Sequence, residues 1–380
     1  MRQLFFTNTP AHVHLYKHAV RRLRADGHDA RILARDYGCT IPLLEWYDLP
    51  YETYGYCGTS KYSLLRNVVG HYRNILTAAV RFDPDLVFGM GAYAAHAGAV
   101  TRTPVVLLLD SEPTTLDHRI SAPFADAMLT PAAFRKDLGE NHYEFRGFKE
   151  SAYLHPDAYE PAGDVRAKLG LGDDERFVLL RFNAFGSHHD VGEGGFSPAQ
   201  RRQLVERLAE EATVLLSDEG DDVDADALPA REFDCHPALL HDALAEADLL
   251  VADTQTMVTE AALLGTPAIR SNSWVGEDDM GNFIELERRD LVRNLRSFDD
   301  VLDAATELLA DEDAPARWAE RRAQFMAETV NLTDVIVDVA TDPGSIDSVA
   351  GLSRRGTADL SESADARRLR RGRERGGRTE

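Results

Sequence analysis

At 380 residues the chain is longer than one hydrophobic core usually supports, so its length predicts two domains. A hydrophobic content of 44% suffices for both cores, and no apolar run approaches the roughly 18–20 residues of a membrane span, which argues against a helical membrane protein. The formal net charge is −22, with five lysines against 37 arginines, and the acids are dispersed rather than clustered, which argues against one cationic partner as their cause.

The opening "MRQLFFTN" is too short and wrongly flanked for a signal peptide, so a soluble cytoplasmic protein is expected. "RQLFFTN" (2–8) predicts a buried parallel strand. A helix from Val13 to Asp26 follows, with Val13, Tyr16, Val20 and Leu23 on one face and Gly27 as its stop. Pro10, His12 and His14 stand between the two, where a plain connector favours Gly, Asn, Asp or Ser. Packing, metal binding and a catalytic base are all open there. "DARILARD" is the next strand, and "PDLVFGMG" (84–91) another, after a helix ending near Phe82. The small-residue helix "AYAAHAGAV" leads to the strand "PVVLLLD" (104–110). Such alternation signals a parallel sheet with helices on both faces.

Residues 130–160, rich in Pro and aromatics, read as a linker that completes an N-terminal domain over 1–160. A second cycle begins at "RFVLLRFNAFG" (176–186) and continues through "ATVLLSDEG", "ADLLVADTQT", a helix at 257–264 and "TPAIRSN". It predicts a C-terminal domain over 161–340, with a cleft between two α/β halves. From about Thr341 to residue 380 the composition turns to Gly, Ser, Asp and Arg, which predicts a disordered tail. Residues 366–380 carry seven Arg and two Glu. RNA binding through this basic end and a tail lying on the protein's own acidic surface are both open. The three cysteines, Cys39, Cys57 and Cys235, match no metal or redox spacing.

Ligands of parallel sheets bind outside the carboxyl ends of the strands, which directs attention to the loops after residues 8, 89, 110, 182 and 252. In "ADLLVADTQTMVTEAALLGTPAI" a strand ends at Asp253, a polar turn carries Thr254 and Thr256, and a helix begins near Met257. Its N-terminus offers free amides for phosphate oxygens, and Glu260, one turn in, is placed for a ribose diol. Thr256 and Glu260 as plain capping residues is the alternative. "LLLDSEPTT" brings Asp110 and Glu112 to a strand's carboxyl end, where they could bind sugar hydroxyls or accept a proton; turn capping is again the alternative. Arg181 lies in or just after a buried strand and needs a partner, either ligand phosphate or a carboxylate such as Asp253. Asn183 follows it, and His188 lies in the glycine-rich loop "GSHHDVGEGGF". His14 and His18, four apart on a helix, would suit a metal pair, but no third ligand has an obvious spacing, and no metal site is expected. "DEGDDVDAD" lacks the Gly and terminal Glu of a calcium loop and reads as acidic surface.

Strand, polar turn, helix with internal Glu260 and "LLGTPAI" resemble the nucleotide-sugar site of GT-B glycosyltransferases and non-hydrolysing UDP-N-acetylglucosamine 2-epimerases. In those proteins the turn is usually Ser-Gly-Gly; here Asp253-Thr254-Gln255-Thr256 holds no glycine. Through "NTPAHVHLYKHAVRRLRADGH", "ARDYG", "GFKESAYLHP" and "EAALLGTPAI" the chain is similar to the family catalogued as domain of unknown function 354, over residues 1 to about 335. The resemblance implies a GT-B-like α/β fold, two Rossmann-type domains facing a cleft. It places His12 where the cell-wall N-acetylglucosaminyltransferase has a His after its glycine-rich turn. A neutral imidazole there could take a proton from an acceptor hydroxyl, with Asp110 or Glu112 in reserve. The implied activity is glycosyl transfer from a nucleotide-diphosphate sugar, UDP-sugar first, to a glycan or lipid-linked acceptor. Arg181, Asn183, Thr254, Thr256, Glu260, His14 and His188 would bind substrate, with no obligatory metal or cofactor. Nucleotide-sugar 2-epimerisation, and non-catalytic binding of a sugar nucleotide or nucleic acid, are the alternatives.

The dispersed acids and scarce lysines resemble a haloarchaeal protein adapted to high salt. Stability should therefore fall as potassium chloride drops from molar to roughly 0.1 M, where the Debye length reaches about 10 Å and self-repulsion is least screened. Melting temperatures across that range test this, and a flat profile would refute it.

Overall fold

A computed structural model describes residues 1–57, 61–183, 194–218 and 225–356, and in it the apolar runs become strands. β1 (Arg2–Thr7), α1 (Pro10–Ala25), β2 (Asp29–Asp36), α2 (Thr40–Trp46) and β3 (Tyr51–Tyr56) open the chain. α3 (Lys61–Phe82), β4 (Leu86–Gly89), α4 (Ala92–Thr101), β5 (Val105–Leu108) and α5 (Thr115–Ser121) follow. Then come β6 (Ala127–Pro131), β7 (His142–Phe145) and the single turn α6 (Ser151–Leu154).

The second half runs α7 (Val165–Lys168), β8 (Phe177–Phe182), α8 (Pro198–Leu208), β9 (Thr213–Asp218) and β10 (Arg231–Glu232). α9 (Leu240–Glu246), β11 (Leu249–Ala252), α10 (Thr256–Leu264) and β12 (Ala268–Arg270) come next. It closes with α11 (Gly281–Arg288), β13 (Arg293–Asn294), α12 (Phe298–Ala310), α13 (Ala314–Glu328), α14 (Leu332–Thr341) and β14 (Leu352–Arg354).

Two sheets result, ordered β14-β7-β6-β5-β4-β1-β2-β3 and β10-β9-β8-β11-β12-β13. Every pairing is parallel except β14 against β7. The period of two in β1 explains why it needs helices on both faces: Phe5 packs with Val13, Tyr16 and Leu23 of α1, while Leu4 and Phe6 pack with Ile75 of α3 and Ala94 of α4.

Three boundaries differ from the sequence reading. α1 begins at Pro10, because proline at the first helical position has no amide to lose, so His12 lies inside the helix rather than before it. The stretch read as a linker, 130–160, supplies the end of β6, all of β7 and α6; its aromatics Tyr143, Phe145, Phe148 and Tyr153 are core residues. The expected tail begins too early at 341. α14 packs back on α1 and α6, with Gln3 of β1 donating to the Ala340 carbonyl at 3.2 Å. β14 then pairs with β7, and Arg354 lies over the Tyr143 ring while holding Asp347. The Arg-rich end, 357–380, falls outside the described residues.

Arg355 seals this return, donating to the Phe134 and Lys136 carbonyls at 2.9 and 2.8 Å and pairing with Glu144 at 3.0 Å. Arg355→Ala should cost about 1–3 kcal/mol of stability, read from the midpoint of a denaturant titration. No shift would mean that the segment after α14 contributes nothing to the fold.

Candidate active site in the cleft

A cavity of about 600 Å³ opens between the halves. Its wall takes Asn8 and His12 from beyond β1, Asp110 from beyond β5, Lys149 from beyond β7, and Thr256 from beyond β11. These are carboxyl ends of parallel strands, where the backbone leaves the sheet and side chains converge. Ala11, Ala92, Thr256 and Asn282 bring the first turns of α1, α4, α10 and α11 to the same wall. No side chain caps α10, so its leading amides remain available for anionic oxygens.

The charged centre of the wall is Lys149. Its ammonium donates to Asp110 and lies 3.6 Å from Glu150 Oε1, with all three side chains largely buried. Burial alone would lower the lysine's proton affinity, but Asp110 and Glu150 more than reverse this, so it stays charged. Burial pushes Glu150 up to about 7, opposed by Lys149 and reinforced by Asp110. The cluster therefore holds one fixed cation, its closest carboxylate, and a second carboxyl poised near neutrality. Arg35 adds a further positive charge to the wall while donating to the Asn8 carbonyl at 2.9 Å.

His12 does reach the cavity as a neutral imidazole, but with its acceptor nitrogen already engaged. The Asn8 amide donates to its Nδ1 at 3.1 Å, which leaves the ring proton on Nε2. Burial, then the charges of Lys149 and Arg35, hold its pKa down at about 3, with Asp110 opposing. A neutral ring so held is a hydrogen-bond donor from Nε2, not a proton acceptor. With Nδ1 engaged by the Asn8 amide, the geometry offers the cavity an Nε2 donor and leaves no free lone pair for the proton expected of a base.

Among the described residues, the remaining candidates divide sharply. Asp110 and Thr256 line the cavity. Glu112 does not: its Oε1 accepts from the Arg135 amide at 3.1 Å and the Gly281 amide at 3.0 Å, stapling the loop after β5 to the start of α11. Gly281 is required at this joint, since a Cβ there would stand 1.8 Å from the Ala133 carbonyl oxygen. Glu260 is 2% exposed, and its Oε1 accepts from Tyr153 Oη at 2.8 Å and meets His241 Nε2 at 3.0 Å. It sits in the join between the halves rather than on the cavity wall. His14 belongs to the same join, its ring 4.5 Å from that of His241 and 5.4 Å from that of Tyr153. Burial first, then nearby cations, keep it neutral.

Arg181 donates to Ser217 Oγ at 2.6 Å, away from the cavity wall. Asp253, one of the two partners open for it, instead accepts from the Asn183 amide at 2.7 Å and lies 3.8 Å from Arg201. Asn183 offers Asp253 its backbone amide, and Thr254 Oγ1 is buried. His188 lies outside the described residues. No three His, Cys, Asp or Glu side chains converge as a metal site among the described residues.

Sequence reasoning missed Lys149, Glu150 and Arg35. The first two stand in "GFKESAYLHP", whose adjacent base and acid carried a usable signal. Reading that stretch as a linker hid it, because the strand whose carboxyl end positions them went unassigned.

A family model described as "Protein of unknown function (DUF354)" matches residues 4–341. The chain belongs to this family. An uncharacterised protein from Methanocaldococcus jannaschii is 23% identical over 290 residues, 69% of this chain and 79% of its own. Among solved structures, the S. aureus MnaA–UDP co-structure aligns with TM-score 0.64 at 13% identity, covering 91% of this chain and 98% of that one. UDP-GlcNAc 2-epimerase from Neisseria meningitidis bound to UDP-GlcNAc aligns with TM-score 0.60 at 12% identity, covering 91% and 99%. The spinosyn forosaminyltransferase SpnP aligns with TM-score 0.60 at 14% identity, also covering 91% and 99%. At such identities the likeness shows the fold: this DUF354 protein is GT-B-like, with two Rossmann-type parallel-sheet domains.

If Glu112 is a staple and not a catalyst, Glu112→Ala should cost about 1.5–3 kcal/mol of stability, because two amides lose a charged acceptor. Denaturant titration reads the loss. A variant of unchanged stability would return Glu112 to the candidates for chemistry.

Proposed function

We propose that the cleft binds a nucleotide-diphosphate sugar, UDP-sugar first, and transfers its glycosyl group to a hydroxyl of a glycan or lipid-linked acceptor. The observation that carries this reading is Glu150, a buried carboxyl pushed up to about 7, beside a fixed ammonium and in the same cavity as the uncapped start of α10. The amides of α10, with Lys149 and Arg35, supply the positive potential that a departing diphosphate needs. These groups take the charge as the anomeric C–O bond breaks, so the reading assigns no role to a metal. Glu150, ionised, accepts the proton of the acceptor hydroxyl as the new C–O bond forms. His12 donates from Nε2 to a substrate oxygen, and Thr256 lies beside the phosphates. Asp110 keeps Lys149 in place.

Nucleotide-sugar 2-epimerisation is the second reading. The presence of two carboxyls, Asp110 and Glu150, on one cavity wall favours it, because inversion of a ring carbon needs groups that remove and return a proton.

A base works as its carboxylate, so turnover should rise with pH through an apparent pKa near 7 and then level off. Glu150→Gln should remove that limb and lower turnover roughly 10²–10⁴-fold. Because the folded-state pKa of Glu150 is raised, the stabilising form is the protonated one, present below the ordinary carboxylate range and lost as pH rises through about 7. Glu150→Gln should accordingly flatten stability across that window. Release of free nucleoside diphosphate from a UDP-sugar reports transfer, and a changed sugar still attached to its nucleotide reports epimerisation. A Glu150→Gln variant with the parent's pH profile would sink the assignment.

A further inference from the structure

The layer of α3, α4 and α5 on the first sheet presents a surface unlike the rest of the molecule. Six large apolar side chains stay exposed on it or at its edge: Tyr56 (62%), Val69 (78%), Val100 (55%), Leu116 (73%), Ile120 (42%) and Phe124 (47%). Stacking of Tyr72 on His96, and of His96 edge-on to Phe124, joins α3, α4 and the turn after α5 into one face. Its charge is inverted as well. The chain holds 64 acidic residues, yet α5 carries only Asp117, which accepts from the Ala92 amide, beside Arg119, and residues 53–109 include only Asp83 and Asp85, against Lys61, Arg66, Arg73, Arg102 and Arg81, the last paired with Glu52. Asp83 and Asp85 lie beside Arg2, which begins β1, at the end of the sheet remote from the cavity. Arg73 and Arg119 are exposed among the apolar side chains.

We propose that this face docks on an anionic lipid surface. Leucine, isoleucine, phenylalanine and valine side chains interleaved with arginine suit the boundary between acyl chains and phosphate headgroups, whereas water alone would leave the patch uncompensated. The strongly acidic remainder is repelled by the same membrane, so the charge distribution admits one orientation. A second copy of the chain fits less well, because a twofold contact would set Arg73 and Arg119 against like charges. Val68, Tyr72 and Ile120 also belong to the cavity wall, so docking brings the cavity's N-terminal side to the bilayer. A substrate carrying a lipid tail could then enter without leaving the membrane. The docking itself does not depend on the reaction proposed for the cleft.

Flotation of the full chain with vesicles of phosphatidylglycerol and phosphatidylcholine, in the lowest salt at which circular dichroism shows it folded, tests the proposal. The protein should float with these vesicles and less with phosphatidylcholine alone. The Val69→Asp/Leu116→Asp variant should bind roughly tenfold more weakly or worse, with an unchanged melting curve, since both side chains are solvent-exposed in the free protein. Arg73→Glu/Arg119→Glu should lose the preference for phosphatidylglycerol. Failure of the parent to float, or equal flotation by Val69→Asp/Leu116→Asp, overturns the proposal. So does a dimer in sedimentation velocity that Leu116→Asp dissociates, which would place a second copy on this face.

Discussion

The cleft is organised around one buried cation. Lys149 stands at the carboxyl end of the first sheet, where removing an ammonium from water costs several kcal/mol unless carboxylates replace the solvent. Asp110 and Glu150 do so. This arrangement joins the loop after β5 to the segment after β7. It also tunes the state of its neighbours: the lysine is committed to Asp110, which leaves Glu150 only partly compensated and hence near neutrality. The same charge helps to keep His12 unprotonated. Burial dominates the states of Glu150 and His12, and this one cation modulates both while holding its own charge.

The halves are held in register by polar pairs, several of them buried, instead of apolar contact alone. Tyr153, from the first half, shares Glu260 with His241 from the second. Glu112 bridges to the start of α11, and Arg135 donates to the Glu277 and Asp279 carbonyls. Asp279 is in turn gripped by Arg270, whose guanidinium lies 3.6 Å over the Phe283 ring. Each contact requires its partner at a defined distance, so a sliding of one half past the other would leave charges buried and unpaired. Apolar packing would tolerate such a slide far more readily.

The fold was legible because its signals are local: apolar runs of strand length, a 3.6-residue stripe in α1, and Gly265 as the left-handed stop of α10. The place of His12, Asp110 and Thr256 on the cavity wall was legible for a related reason, since parallel sheets collect side chains at strand ends. Glu112 and Glu260 show where this reasoning stops. Their acceptor oxygens are claimed by Gly281 and by Tyr153, donors far away in sequence, and no local pattern announces such a pairing. The strand β7 was masked by its aromatics and nearby proline, and with it went Lys149 and Glu150.

The return of α14 and β14 to the first sheet has a consequence for biosynthesis. That sheet starts with residue 2 but gains its outermost strand only at residue 352, so the first half is discontinuous along the chain. On the ribosome, α1 and β7 emerge long before the segments that cover them, and their apolar face and open edge must wait exposed. The second sheet, whose strands are contiguous in sequence, has no such delay. Order of assembly is therefore inverted relative to order of synthesis: the later half can complete itself first and serve as the template on which the earlier half closes.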